Sequence, residues 1–210
     1  MKKIILFLFY GISVFGQDVI EQDSIAKTNP IIFSECYFGF FGGSNGGLVG
    51  YGLNLNYQFK KNDLLTARFN LNNGFMTDYV LISPVTPLPF VVREETQVEF
   101  AILYGKRWAK NNFSFSISSG ISHVERDYYQ NNGEFYENLN QNYFGVPFEF
   151  NIKWFKSRKS RFRAYYGLIP IGKKKVSFGR SVGFKLQGNI AKNDYVGLAF
   201  TYGFGWHKKY

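Results

Sequence analysis

The feature that most constrains the fold is the alternation of side chains in the last stretch of the chain, residues 195–210. One alternate set is wholly apolar or aromatic: Val196, Leu198, Phe200, Tyr202, Phe204 and Trp206. The residues between them are mostly small or polar. Successive side chains of a β-strand point to opposite faces, so this pattern predicts a strand with one fully apolar face. Bulky aromatics on every outward step are typical of a strand that faces lipid on one side and a tight polar lumen on the other.

The same alternation recurs along the chain and predicts eight strands, the first of which has bulky residues on both faces and therefore an open register. They cover residues 35–43, 49–59, 65–72, 97–105, 113–121, 143–154, 181–190 and 195–207. Single-chain bacterial barrels have an even number of strands and both chain ends in the periplasm. The predicted fold class is therefore all-β, an antiparallel transmembrane β-barrel of eight strands. A ten-stranded barrel is the alternative, because residues 161–171 hold one further candidate strand.

Residues 1–16 are predicted to be a cleaved signal peptide. Lys2 and Lys3 precede an apolar run at residues 4–15, and Gly16 is a small residue suited to a cleavage site. This is the pattern of a secretory signal, and the run is too short to cross a hydrocarbon core of about 30 Å as a helix. Residues 18–30 are polar and aperiodic, so we expect residues 17–33 to be a flexible periplasmic leader. The barrel is expected at residues 34–210, and its location is the cell outer membrane.

Three long connections interrupt the predicted strands. Residues 73–93 contain Pro84, Pro87 and Pro89, which cannot donate to a strand ladder, so a loop is predicted there. A second loop is predicted at residues 127–140, and both are expected outside the cell. Long loops are often functional, and these two offer aromatic side chains as surface contacts: Tyr79, Phe90, Tyr128, Tyr129 and Tyr136. Residues 155–178 are predicted to be a long, basic periplasmic connection.

The inward positions of the predicted strands include a cluster of charges of both signs. Its members are Arg68, Glu99, Glu149, Lys153 and Lys185. The interior of an eight-stranded barrel is just wide enough for side chains to fill, and buried charges have to be paired. We therefore predict a lumen largely plugged by ion pairs, with a structural or interaction role for the protein. A small passive porin is the alternative.

Catalysis is not expected, although a lipid-modifying barrel enzyme is a remote alternative. Such an enzyme would need a nucleophile and a base within hydrogen-bond reach. The chain has two histidines. His123 follows Ser122 directly, so the two should face opposite sides of one strand, and His207 is expected at the frayed end of the last strand. The sequence shows no spacing typical of metal ligands, and no cofactor is predicted.

The formal net charge of +10 does not predict a nucleic-acid partner, because the basic residues gather in the turns. Lys60, Lys61, residues 106–110 and residues 156–175 all fall on the periplasmic side of an eight-stranded barrel, whereas Glu94 and Glu95 fall on the outer side. The expected partners are outer-membrane lipids and lipopolysaccharide, contacted by basic side chains at the interface. An acidic periplasmic partner that binds residues 156–175 is the sharper alternative. We expect a monomer.

Four short sequence blocks in the last third of the chain carry a family resemblance. They read GVPFEF at residues 145–150, GFKLQGNI at residues 183–190, YVGL at residues 195–198 and GFG at residues 203–205. On these blocks the chain resembles the small, porin-like outer-membrane β-barrel proteins of the Bacteroidota. The resemblance implies an outer-membrane barrel and adds a location rather than an activity.

Overall fold

The structure, a computed structural model, describes residues 31–44, 46–60, 62–83, 86–131, 136–156, 160–165, 168–176 and 178–209. Within these ranges, side chains are described except at residues 76–93, 130–131, 136, 160, 162–164 and 172–176. The predicted signal peptide and most of the predicted leader lie outside the described residues. The first strand begins at Ile31, three residues before the predicted start of the barrel.

Among the described residues ten strands form, of which eight close into an antiparallel barrel. They are β1 (Ile31–Gly43), β2 (Gly46–Phe59), β3 (Asp63–Ser83), β4 (Thr86–Lys110), β5 (Phe113–Asn131), β6 (Tyr136–Phe155), β7 (Ser160–Ala164), β8 (Ile169–Val176), β9 (Phe178–Ile190) and β10 (Tyr195–Trp206). Around the barrel the order is β1, β2, β3, β4, β5, β6, β9 and β10, and β10 pairs back with β1. The remaining strands, β7 and β8, form a separate two-stranded sheet. The prediction of eight barrel strands is therefore confirmed, and the ten-stranded alternative is wrong because the extra candidate lies outside the barrel.

The two ends of the barrel differ in what they carry. We call the end where β1 starts and β10 finishes the terminal end, and it also carries the β7–β8 hairpin between β6 and β9. The opposite end, which we call the hairpin end, carries the tips of the β3–β4 and β5–β6 hairpins. An even strand number with both chain termini on the same side gives this arrangement directly.

The predictions of loops at residues 73–93 and 127–140 are wrong for the part of each segment that the structure describes, whereas residues 84–85 and 132–135 lie outside it. β3 and β4 stay paired from Gly74 onward until Ser83 meets Thr86, and Asp127 of β5 pairs with Asn140 of β6. Pro87 and Pro89 are part of this pairing on β4. β4 pairs with β5 only from Glu95, so before this residue the β3–β4 arm is a two-stranded ribbon. One edge of β4 makes no ladder hydrogen bonds there, and proline is tolerated in such an edge strand.

The open register of β1 is resolved by glycines on its neighbour. Tyr37 and Phe41 are buried and point inward, while Phe38 and Phe40 are exposed on the outer wall. The inward rings lie over Gly52 and Gly50 of β2, where an added Cβ would meet the rings of Tyr37 and Phe41. β1 can carry bulky residues on both faces because Gly50 and Gly52 of the neighbouring strand β2 have no side chains. The space that they leave inside the barrel is occupied by the aromatic rings of β1.

The outer wall is apolar over the barrel strands. Its exposed side chains include Leu53, Leu55, Ile102, Ile121, Phe184 and Leu198. All three tryptophans of the chain, Trp108, Trp154 and Trp206, are exposed near the terminal end. A band of aliphatic residues with aromatic residues at its border is the surface that lipid and its interface favour. Among the described residues, no helix is both long and apolar enough to span a membrane.

Candidate functional site: the barrel interior

The interior is filled mainly by polar and charged side chains. Because the strands alternate, every second residue points inward, and these positions hold four buried glutamates and five buried basic residues. They are Glu35, Glu95, Glu99, Glu149, Arg68, Arg107, Arg126, Lys153 and Lys185. The structure places all five residues of the predicted charge cluster in this interior. Ile31, Phe33 and Leu64 form a buried apolar cluster, and a second cluster contains Tyr37, Phe41, Leu48, Tyr195 and Ala199.

Glu99 of β4 is the most connected acid in the middle of the lumen. Arg68 of β3 donates to its Oε1 from Nε at 2.9 Å and from Nη2 at 2.5 Å. Its other oxygen, Oε2, accepts from the Tyr195 hydroxyl at 2.7 Å and from Asn189 Nδ2 at 2.8 Å. Both side chains of the Arg68–Glu99 pair are fully buried. Four donated hydrogen bonds satisfy this carboxylate, which is the condition for a buried charge to be tolerated.

Glu149 of β6 collects a second set of partners. Asn54 Nδ2 donates to its Oε2 at 3.1 Å, and Asn151 Nδ2 donates to its Oε1 at 3.0 Å. Lys185 Nζ lies 3.4 Å from Glu149 Oε2, and Arg68 Nη1 lies 3.9 Å from the same oxygen. Arg68 thus connects the two acids, since it binds Glu99 and also neighbours Glu149. The ammonium of Lys185 lies 4.1 Å from the centre of the Tyr37 ring, a favourable cation–π contact.

Three hydrogen bonds inside the lumen span the full diameter of the barrel. In an eight-stranded ring, strands four places apart are opposite each other, and this holds for β2 and β6, for β4 and β10, and for β3 and β9. Asn54 donates from β2 to Glu149 on β6, and Tyr195 donates from β10 to Glu99 on β4. Arg68 of β3 donates to the Gly188 carbonyl on β9 at 3.4 Å. The lumen is therefore bridged from wall to wall rather than only lined.

The terminal end of the lumen is closed by a mixed aromatic and cationic layer. The Arg107 guanidinium lies 4.8 Å from the centre of the Phe33 ring and 5.5 Å from that of Phe155, and its Nη1 donates to Gln58 Oε1 at 2.9 Å. Lys153 forms an ion pair with Glu35, which also accepts from Asn56. This layer corrects one sequence-based prediction, since Arg107 belongs to the lumen and not to a basic periplasmic turn.

His207 is part of the same layer, and the prediction that it lies at a frayed strand end is wrong. It follows the last residue of β10 but is 3 % exposed, because its ring stacks on Phe155 at 5.4 Å and meets Phe33 at 5.1 Å between centroids. Burial lowers its pKa to about 3, and the nearby cations Arg107 and Lys153 act in the same direction. His207 therefore stays neutral at neutral pH and serves as an aromatic cover.

A further ion pair lies toward the hairpin end. Arg126 of β5 binds Glu95 of β4, with Nε donating to Oε2 at 2.7 Å, and Gln97 Nε2 donates to Glu95 Oε1 at 3.3 Å. The Tyr128 ring lies 4.2 Å from the Arg126 guanidinium, and its hydroxyl accepts from Gln141 at 2.9 Å. Glu95 is thus buried in the lumen rather than placed in an outer loop, and half-buried Tyr128 covers this pair instead of serving as a surface contact.

The other predicted surface contacts have different outcomes. Tyr129 is 46 % exposed near the tip of the β5–β6 hairpin. The backbone of Tyr79, Phe90 and Tyr136 lies in the β3–β4 and β5–β6 hairpins, while their side chains lie outside the described residues. Ser122 and His123 face opposite sides of β5, as the sequence predicts. Ser122 is buried in the lumen, whereas the partly exposed His123 packs on Phe144 on the outer wall, with ring centroids 5.3 Å apart.

Four charged lumen residues were missed by sequence reasoning: Glu35, Glu95, Arg107 and Arg126. Glu35 lies in β1, where the register was open, and Glu95 lies beside the proline-rich segment that was predicted to be a loop. The basic neighbours of Arg107 at residues 106–110 indicate a turn, although strict alternation from Glu99 through Leu103 predicts an inward position for Arg107. Extending the alternation of β5 from Ser122 to Arg126 gives the same signal for Arg126.

Comparison with known proteins finds likeness in structure only. No family model matches the chain, and no curated protein matches it. Among solved structures, surface protein A (NspA) of Neisseria is similar with 8 % identity and a TM-score of 0.49, over 83 % of this chain and 95 % of that one. The attachment invasion locus protein Ail of Yersinia pestis is similar with 10 % identity and a TM-score of 0.45, over 84 % and 98 %.

The class of protein is defined by this chain's own features. The strand order closes on itself, the outer wall is apolar with tryptophans at its border, and the interior is polar. An open sheet edge cannot lie in lipid, and closure removes such edges from the eight-stranded part of the barrel. The fold is that of a transmembrane β-barrel of the outer-membrane type, and the outer membrane is the location that this surface fits.

Proposed function

We propose that the protein is a sealed outer-membrane barrel whose role is carried by its two ends and not by transport through its interior. The observation that carries this proposal is the bridging of the lumen across its diameter, by Asn54 to Glu149 and by Tyr195 to Glu99. A solute crossing the barrel would have to break these contacts and leave buried carboxylates without their partners. Such a break is strongly unfavourable in a low-dielectric interior.

Solute influx into liposomes tests this proposal against the passive porin. The purified protein is reconstituted, and the entry of a small sugar is followed by liposome swelling. We expect the wild-type protein to be impermeable. A variant that clears the centre of the lumen without changing its net charge should admit the sugar: Arg68→Ala, Glu99→Ala, Glu149→Ala and Lys185→Ala together.

The matched control carries Phe69→Ala and Phe100→Ala, which remove bulk from the outer face of the same strands that carry Arg68 and Glu99. Both side chains pack on each other outside the lumen, with ring centroids 5.0 Å apart. This control should stay impermeable, because the interior is unchanged. Sugar influx through the wild-type protein at the rate of the cleared variant would favour the porin and contradict the sealed barrel.

The role of the hairpin end in this proposal is interaction at the cell surface. The β3–β4 and β5–β6 hairpins extend past the last pairing of their neighbours, at Gly74 with Leu48 and at Val146 with Ile190. Tyr129 offers an exposed ring there, and Tyr79, Phe90 and Tyr136 belong to the same two arms. Aromatic side chains on projecting segments are suited to contacts with proteins or glycans.

Labelling of intact cells tests the orientation on which this role depends. In a Cys36→Ser background, Thr86→Cys at the tip of the β3–β4 hairpin should react with a membrane-impermeant maleimide. Lys156→Cys, an exposed position at the terminal end, is the control and should react only after the outer membrane is broken. Labelling of the second site but not the first on intact cells would reverse the orientation.

The family assignment belongs to the proposal as well. The blocks at residues 145–150 and 183–190 support membership of the porin-like group of the Bacteroidota. In the structure these blocks lie on neighbouring strands, since Val146 to Phe150 of β6 pair with Ile190 to Leu186 of β9. They therefore form one patch of the barrel wall. A monomer accounts for the proposed role, because the lumen is filled by residues of a single chain.

A lipid-modifying enzyme is the alternative with least support. His123 is partly exposed on the outer wall next to Glu125, whose Oε1 lies 3.6 Å from His123 Nε2. Ser122 points into the lumen on the opposite side of the same strand. A nucleophile and a base on opposite faces cannot share a proton. Unchanged lipid species in cells with His123→Ala would agree with the absence of this activity, and altered species would support the enzyme.

A further inference from the structure

The β7–β8 hairpin is the one part of the described fold that the barrel does not need. β6 and β9 pair directly, and the last pair joins Phe155 to Ser181 at the terminal end. A short turn would connect these two strands. Residues 156–177 are inserted instead, and β7 and β8 within this insertion pair as a small two-stranded sheet whose first strand contacts β9. Such an insertion has a role separate from closing the barrel.

The base of this hairpin is strongly basic. Residues 156–178 contain eight of the chain's 25 Lys and Arg and no Asp or Glu. Arg161 and Lys175 are directly opposite each other in the register of β7 and β8. Like charges at opposed positions destabilise a strand pair. The repulsion between these two positive charges therefore destabilises the hairpin in the free protein. An anionic partner bound at the base would reduce this repulsion.

The tip of the hairpin is apolar and exposed. Tyr165 and Leu168 are each 70 % exposed, Ile169 is 56 % exposed and Ile171 is 53 % exposed. Large aliphatic side chains in a cluster this exposed mark an interaction site. An apolar tip on a basic base is the combination that lies in a membrane interface, with the apolar part in the acyl boundary and the cations at the phosphates.

The position of the hairpin fits this partner. It leaves the barrel after Phe155, the residue next to Trp154, and returns at Phe178, whose ring packs edge-on against Trp206 at 5.4 Å. Exposed tryptophans mark the level of the lipid headgroups on a barrel wall. The basic base therefore starts at the height of the headgroups. An acidic protein would match the charge but not the exposed aliphatic tip.

We propose that the β7–β8 hairpin binds the anionic phospholipid leaflet at the terminal end of the barrel, with its tip inserted in the acyl boundary and its basic base against the phosphates. This inference rests on the proposed location in the outer membrane and does not depend on a sealed lumen. The hairpin then acts as an anchor that fixes the terminal end of the barrel at the surface of that leaflet.

A fluorescent probe at the tip tests the proposal in the full chain. In a Cys36→Ser background, Leu168→Cys is labelled with an environment-sensitive fluorophore, and the protein is reconstituted in vesicles of phosphatidylcholine alone or mixed with phosphatidylglycerol. In the mixed vesicles the emission should shift to the blue and be quenched by lipids spin-labelled on the acyl chain. Iodide in the water should quench it less. High salt should weaken these effects, because the attraction to phosphates is screened.

The variant that removes the basic base carries Arg161→Gln, Lys173→Gln, Lys174→Gln and Lys175→Gln. Each basic residue near an anionic surface contributes about a fivefold change in affinity, so the fraction of inserted tips should fall at least about tenfold. The control carries Lys60→Gln and Lys110→Gln, which are exposed basic residues in the other turns of the same end. It should leave the insertion of the tip unchanged.

A second measurement does not use the label. Replacing residues 157–177 by a short Gly-Ser turn should leave the barrel folded, because β6 and β9 pair without the hairpin. The wild-type barrel should unfold at a higher urea concentration in phosphatidylglycerol vesicles than in phosphatidylcholine vesicles, and the deletion should remove that difference. Equal urea midpoints for the wild type in both lipids would contradict the proposal.

The outcomes also separate this inference from the proposed function. A tip that is open to iodide in both kinds of vesicle overturns the lipid anchor while a sealed lumen stands. A tip that is shielded in isolated outer membranes but not in pure lipid vesicles points to a protein partner and also overturns it. A lumen that admits sugar while the tip inserts contradicts the sealed barrel and leaves the anchor in place.

Discussion

The hydroxyl of Tyr195 donates a hydrogen bond to Oε2 of Glu99 at 2.7 Å, and the two residues lie on opposite walls of the barrel. Asn70 Nδ2 donates to the same hydroxyl at 2.9 Å, so the tyrosine both accepts and donates in the lumen. This contact links the closing strand to β4, at the height where Arg68 holds the other oxygen of Glu99. It shows how an eight-stranded barrel is filled by side chains that reach past its axis.

Replacing Tyr195 by Phe is expected to destabilise the folded barrel by about 1.5–3 kcal/mol, since the change removes a hydrogen bond to a charged group and leaves Asn70 Nδ2 unpaired. Urea unfolding in lipid vesicles, followed by the gel mobility of the folded form, measures the difference. Tyr202→Phe, on the outer face of the same strand, is the matched control and should cost less than about 0.5 kcal/mol. Equal costs for both variants would remove the energetic significance of the cross-lumen contact.

Replacing Arg68 by Met is expected to cost about 3–5 kcal/mol, because Glu99 then stays buried without its cation. The double variant Arg68→Met with Glu99→Gln should recover part of this loss, since the second change removes the buried charge. The control is Arg180→Met, an exposed arginine of β9. If the two arginine variants unfold at the same urea concentration, the ion pair does not stabilise the barrel.

Gly52 should not tolerate a side chain, whereas Gly47 on the same strand should. A Cβ on Gly52 would lie 2.5 Å from the hydroxyl of Tyr37, and no atom lies within 4 Å of a Cβ on Gly47. Gly52→Ala is therefore expected to destabilise the barrel by about 1–3 kcal/mol through overpacking. Gly47→Ala should be neutral or slightly stabilising, because it restricts the unfolded chain. A neutral Gly52→Ala would mean that Tyr37 does not lie over β2.

The contribution of His207 to stability should depend on pH. Its pKa is about 3 in the folded barrel against 6.5 in the unfolded chain, so the unfolded chain binds the proton first as the pH falls. The stability of the wild type should thus be complete above about pH 6.5 and decrease toward pH 3. His207→Phe keeps an aromatic ring in place without a titratable group, so the wild type should lose stability relative to this variant over that range.

Urea unfolding of both proteins at several pH values measures this difference. Groups other than His207 titrate in both proteins, and their contributions cancel when the two are subtracted. A difference that stays constant from pH 7 to about pH 4 would indicate that His207 is exposed to water in the folded protein.

The strand count and the face of most residues were predictable, because alternation fixes which side a residue faces. The arms at residues 75–93 were not, since prolines exclude a central strand but are compatible with a two-stranded ribbon. The partners inside the lumen were also beyond prediction. Alternation places Glu99 and Tyr195 inward, but their relative height depends on the stagger between strands, which the sequence does not state.

The register of β1 shows the same limit at one residue. Tyr37 and Phe38 are equally plausible inward residues on sequence grounds, and the choice depends on Gly50 and Gly52 of the neighbouring strand. In the pairing of β1 with β2, Tyr37 lies opposite Gly52, whereas Phe38 lies opposite Tyr51 on the outer face. The position of Glu35 and its ion pair with Lys153 follow from this choice.

Planar-bilayer recording of the purified wild-type protein tests the central claim most directly, because it reports ion flow through single molecules. A lumen bridged from Asn54 to Glu149 and from Tyr195 to Glu99 predicts a silent membrane at high protein load, with insertion verified by the gel mobility of the recovered protein. The variant cleared at Arg68, Glu99, Glu149 and Lys185 should show current steps in the same setting. Stable ohmic steps from the wild-type protein would contradict the account.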